Sequence, residues 1–207
     1  MTIIRPSNVD GMRGASSFED EEFLAEDFPI EIQPLFNLGE PLRFLSQECG
    51  PFDRRTSVTV PLWVAMYLEK HGKCCIHEPH WLTASFLKQK LREERERGAG
   101  AFSDLSNDMI QVAFLLLNRD YITTQFLGGH NARKQIETIL SELLLLRRAK
   151  ISEGLKQIDF TTSVVDISNM TSIERECIRP QTCAILDSLR DLWTIRDDIM
   201  GGETRGM

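Results

Sequence analysis

Between Phe28 and Gln33 the chain alternates. Phe28, Ile30 and Ile32 are apolar, and Glu31 and Gln33 between them are polar, the period-two pattern of a half-buried strand. Pro34 ends that run, because proline has no N–H to give to a ladder. Leu42-Arg43-Phe44-Leu45 predicts a second strand after a turn containing Gly39 and Pro41. Gly50-Pro51 turns the chain again, and Val58-Thr59-Val60 predicts a third strand. So few short strands bury little surface, so this small unit must lean on something else.

After Pro61 the period changes to that of a helix. Pro61 suits a first helical position, Leu62, Ala65 and Met66 share a face, and Gly72 supplies a stop. Leu82, Phe86, Leu87 and Leu91 mark a second helix that runs into the mixed-charge stretch 88–97. Ser103 or Asp104 is expected to cap a third helix containing Met109, Ile110 and the Val112–Leu117 run. A long fourth helix is expected over about His130 to Ile158, a span of ~43 Å, with Gly154 as an earlier stop. Thr171 and Glu174 have capping-box spacing for a short fifth helix. Pro180 disfavours the α region at Arg179, so a new helix is expected there, with Ile185, Leu189, Leu192 and Trp193 as its apolar face.

The fold class is therefore α+β, mainly α, with a small N-terminal β-rich domain followed by a helical domain of about five helices. The expected boundaries are a flexible leader at 1–20, the β-rich domain at 21–60, the helical domain at 61–196 and a flexible tail at 197–207.

Within the fourth helix, Leu143-Leu144-Leu145-Leu146 step by ~100° each and cover the whole circumference. A helix apolar all round is either enclosed by its own domain or packed on a second subunit. Burying each exposed leucine would contribute ~1.5–3 kcal/mol. These four leucines are the candidate interface.

Composition narrows the function. With 42% hydrophobic and 27% charged residues, the 207-residue chain is that of a soluble globular protein. Its longest apolar run falls far short of the ~20 residues that cross a bilayer, so no membrane association is expected. Five cysteines without regular spacing fit a reducing compartment. A net charge of −7 opposes direct nucleic-acid binding, and Glu19 to Asp27 carries six acidic residues with no basic one. In the 88–97 stretch, interleaved glutamates make a solvated helix face the preferred reading over a nucleic-acid patch.

Cys74, Cys75, His77 and His80 place two thiols and two imidazoles within seven residues. Zinc sites space their ligand pairs over a longer loop, so the segment is read as a connector and no metal is assigned. Cys177 and Cys183 fit helical core positions. The chain has no phosphate-binding glycine loop, nucleophile elbow or carboxylate pair in an apolar setting, so no catalytic or cofactor-binding residue is assigned and no enzyme activity is expected.

Gly50-Pro51-Phe52, then Val58-Thr59-Val60-Pro61-Leu62-Trp63-Val64-Ala65, Lys73-Cys74 and Pro79-His80-Trp81-Leu82 form an ordered series. It resembles that of the GINS subunit 2 (PSF-two) family, as do Glu22-Phe23-Leu24-Ala25-Glu26 upstream and Leu115-Leu116-Leu117-Asn118 downstream. Gly50, Pro51, Phe52, Val60, Pro61, Leu62, Trp63 and Trp81 carry the likeness at the joint of the two domains. The resemblance implies a GINS-like fold, with a small B domain preceding a helical A domain. It further implies a non-catalytic scaffold role in a heterotetramer with GINS subunits 1, 3 and 4. Through that complex it implies contact with the MCM helicase and cell division control protein 45, indirect contact with DNA, and a nuclear location. The chain departs from the family pattern in its longer leader, in His77 and His80, and over 123–135.

Overall fold

The computed structural model describes residues 23–45, 47–98, 100–118, 130–159, 162 and 164–202. The expected leader lies outside them. The architecture is α+β, mainly α. Strands β1 (Pro29–Pro34), β2 (Leu42–Arg43), β3 (Glu48–Cys49) and β4 (Val58–Pro61) precede helix α1 (Leu62–Lys70) and strand β5 (Cys74–Ile76). Helices α2 (Ala84–Glu96), α3 (Met109–Leu117), α4 (His130–Lys156) and α5 (Ser172–Gly202) follow.

Two compact units are present. One is drawn from Met1–Glu78 and Asp108–Phe126, the other from Pro79–Asn107 and Leu127–Met207. By contacts α1 and β5 go with the strands, so this partition differs from the expected division after residue 60.

In the first unit, β1 is the centre of an antiparallel sheet ordered β4-β1-β5, and β2 pairs β3 separately. The alternation of β1 points Ile30 and Ile32 into the core, against Val60 of β4 and Ile76 of β5 in the pairing register. Strand β5 falls where helix and connector were expected. Three residues are too few to show a period, and pairing with β1 decides their conformation. Helix α1 ends in a Schellman closure. Gly72, at φ 63°, donates to the Glu69 carbonyl at 2.8 Å, and Lys73 donates to Leu68 at 2.8 Å. Pro61 sits at the N-cap, one residue before its expected place, while also closing β4.

Helix α3 belongs to the same unit. It begins at Met109, later than the Ser103 or Asp104 start that was expected. Ser103 is fully buried, and its amide and hydroxyl are both bound by Glu94, so they cannot cap a helix. The Val112–Leu117 run is buried at Val112, Ala113, Leu116 and Leu117, and Phe114 faces outward.

The second unit is built on the pair α2 and α4, packed side by side. Leu87 and Leu91 from α2 and Ile136, Ile139, Leu140 and Leu143 from α4 fill its core. Thr83 caps α2 by accepting from the Phe86 amide at 3.4 Å. Helix α4 passes through Gly154 to Lys156. Helix α5 corrects a second expectation: it runs unbroken through Pro180, where a new helix was predicted, and continues past Asp197 to Gly202. Proline deletes one backbone hydrogen bond, and the remaining turns of a long helix carry it across.

Candidate assembly surface

The leucine run of α4 divides by helical geometry. Leu143 is fully buried in the second unit, Leu144 and Leu146 are half-buried, and Leu145 is 65% exposed. One face is therefore core and the opposite face carries a leucine to solvent. Helix α5 repeats the pattern more strongly, because Leu192, Trp193 and Ile195 are all about half exposed. In the first unit, Leu45 is fully exposed at a loop tip beside Phe44, whose ring meets Trp63 edge-on at 5.0 Å. Tyr67, one turn along α1 from Trp63, is also exposed and lies against the His71 ring at 4.4 Å. Both units thus present large apolar side chains to solvent.

The joint residues are mainly structural. Val60, Pro61 and Leu62 are buried where β4 passes into α1, and Trp81 is buried in the second unit. Phe52 is buried and stacks on Phe36 with centroids 5.1 Å apart. Gly50 stands at φ 111°, joined to Pro51 by a cis peptide bond, and a Cβ there would lie 3.0 Å from the Phe52 ring. Both the backbone and the close ring require glycine.

The Cys/His cluster does not converge on β5. Cys74 is buried, with its Sγ 3.5 Å from the Ala65 carbonyl, while Cys75, next along the strand, faces the other way. His77 and His80 are exposed, and His80 meets the edge of the Phe86 ring. Among the described residues no group of three or more His, Cys, Asp or Glu side chains is placed to hold a metal ion. Burial raises the Cys49 thiol above its ordinary value, which disfavours a reactive thiolate. Among the described residues no helix is long and apolar enough to cross a membrane.

Lys90 and Arg95 of α2, and Arg97 just beyond it, are engaged within the chain. Lys90 pairs with Glu93 at 3.0 Å, Arg95 with Glu142 at 3.3 Å, and Arg97 donates to the Phe102 carbonyl at 2.8 Å.

Sequence reasoning missed a buried ionic centre in the second unit. Arg147 of α4 is fully buried, and five contacts account for its five N–H donors. Nε and Nη2 fork onto the two Glu174 oxygens, each at 2.8 Å. Nη1 donates to Glu94 at 2.9 Å and to the Ser103 carbonyl at 3.1 Å, and Nη2 also donates to the Asn169 carbonyl at 2.7 Å. The Phe102 ring lies 4.9 Å from the guanidinium carbon. Glu94 also takes Lys150 at 2.8 Å. Burial by itself would raise the Glu94 carboxyl, but hydrogen bonds from Lys150 and Ser103 and the Arg147 charge bring it below its ordinary value. Burial likewise opposes the Arg147 charge, which its bonds to Glu174 and the charges of Glu174 and Glu94 more than restore. The one sequence signal was a buried-phase arginine directly after four leucines.

Comparison with known proteins matches residues 17–77 to the PSF2 N-terminal domain, the stretch that holds the β1–β5 sheet and most of the joint residues. A Candida albicans protein named DNA replication complex GINS protein PSF2 is 25% identical over 193 residues, covering 92% of this chain and 88% of the relative. The chain is similar to PSF2 proteins over most of its length. The Saccharomyces cerevisiae protein of the same name is 26% identical over 192 residues, 85% of this chain and 86% of the relative. A Brugia malayi protein named as a probable PSF2 is 35% identical over a shorter 99 residues, 48% of this chain and 50% of its own length. The PSF2 likeness thus extends well past the N-terminal domain into the helices.

Proposed function

We propose that this chain is a non-catalytic scaffold subunit of a GINS heterotetramer serving DNA replication, assembled with GINS subunits 1, 3 and 4. Through that complex it meets the MCM helicase and cell division control protein 45, braces the replicative helicase in initiation and elongation, and touches DNA only indirectly. It works in the nucleus. Residues 21–60 act as its B domain and 61–196 as its A domain, flanked by the leader and tail.

The relatives' names support the replication complex. The observation that carries the scaffold reading is the outward-facing apolar set Leu145, Leu192, Trp193 and Ile195, which a solitary protein would expose at a cost. Co-expression with subunits 1, 3 and 4, followed by size-exclusion light scattering, tests it. A soluble complex of equimolar subunits is the expected outcome. A monodisperse lone chain that leaves all three partners free would overturn the reading.

A further inference from the structure

Among the described residues, the buried side chains of helix α5 lie in its first turn and the residue before it. Thr171, Ser172 and Glu174 are buried, whereas every residue from Arg175 to Ile195 is half-buried or exposed. Polar contacts from α5 to other elements gather at that end. Ser172 and Arg175 bond Asn107, at 3.2 Å from each side chain, and Glu174 takes the Arg147 fork. The Glu174 Oε2 also accepts from the Thr171 amide and hydroxyl, both at 2.9 Å, which closes the first turn of the helix onto the same carboxylate. Asn169, at φ 60°, turns the chain just before, and its carbonyl is bound by Arg147 as well. Farther along, Ile178 borders a small apolar cleft with Ile151 and Leu155. The ion pairs beyond are internal to the helix: Arg179 with Glu176 and Arg190 with Asp187. Pro180 removes one backbone N–H where the helix leaves that cleft.

We propose that the Arg147–Glu174 fork is a pin that fixes α5 to the α2–α4 pair, and that the helix beyond Ile178 is an arm whose direction the pin sets. The chemistry suits a pin. A planar guanidinium with all five donors engaged defines a direction as well as an attachment, and lysine could not reproduce the fork. Glu94 takes the other side of Arg147 and is itself bound by Lys150, so the pin is braced from α2 and α4 together. Arg147 is thus a positioning residue for the apolar set at the end of α5. This inference stands on contacts within one unit and does not depend on the identity of any partner.

Hydrogen–deuterium exchange on the full chain, read by region, tests it. Glu174→Gln keeps the side-chain shape and removes the charge from the fork. It is expected to speed exchange over residues 175–182 by roughly tenfold, while 84–96 and 136–146 change by less than about twofold. Thr171→Val deletes only the hydroxyl bond to Glu174, and the same regional pattern is expected at roughly threefold. That second variant keeps the test decisive if Glu174→Gln does not fold. Exchange that rises equally across α2, α4 and α5, or does not rise in α5 at all, would overturn the pin. Either result leaves the assembly test above unaffected.

Discussion

At the residue scale, neighbouring leucines of one run have different tasks, and burial decides which. Leu143 has no exposed surface, so Leu143→Ala removes packed methyl groups and leaves a cavity in the α2–α4 core. The expected cost is about 2–5 kcal/mol, read from the urea midpoint of the chain. Leu145, two positions on, is 65% exposed, so Leu145→Ser should change that midpoint by less than about 0.5 kcal/mol while weakening co-assembly. A comparable loss of stability from both would mean that Leu145 is core. The hydrophobic pattern located the leucine run but could not divide it, since all four positions read alike until the helix that covers one face is known. Arg147 was invisible for the opposite reason. Its charge reads as solvent-facing, and the acceptors that hold it come from four residues, 94, 103, 169 and 174, scattered along the chain.

At the element scale, α2 and α4 are joined by more than their apolar faces. Glu94 accepts from Arg147 and Lys150 of α4, and its carboxyl is held below its ordinary 4.5. A carboxylate depressed in the folded state favours folding above its unfolded value, and that contribution is lost as pH falls through the folded value. Stability of the chain is therefore expected to decline as pH drops below about 4.5, and Glu94→Gln should be destabilised at neutral pH but show a shallower decline in that window. Chemical denaturation at a series of pH values checks both. An identical slope in the variant would assign the acid sensitivity elsewhere. The elements themselves were mostly legible. Period two gave β1 and period 3.6 gave α1, α2 and α4, because each buries one face within a local stretch. Strand β5 and the late start of α3 were hidden, since one depends on pairing with β1 and the other on the demand of Glu94 for Ser103. The continuity of α5 through Pro180 was missed because a local steric preference was weighed without the length of helix on either side.

At the scale of the whole molecule, charge and apolar exposure pull against each other. A net charge of −7 keeps copies apart at long range, while Leu192, Trp193 and Ile195 at the end of α5 offer a short-range apolar contact. The lone chain should then associate when repulsion is screened and apolar contact is strengthened together, as in sulfate. Analytical ultracentrifugation is expected to show a concentration-dependent rise in mass as ammonium sulfate is added. The triple change Leu192→Ser, Trp193→Ser and Ile195→Ser is expected to restore the monomer at a smaller cost in stability than Leu143→Ala, because these side chains are about half exposed and Leu143 is fully buried. Association that persists in the triple variant would move the sticky surface to Phe44, Leu45 and Tyr67 in the other unit. If the triple variant is instead monomeric and also fails to join subunits 1, 3 and 4, the surface that aggregates the orphan chain is the one that its partners cover. The pin at Arg147 then matters to assembly through direction alone, since it touches none of those side chains and still decides where they point.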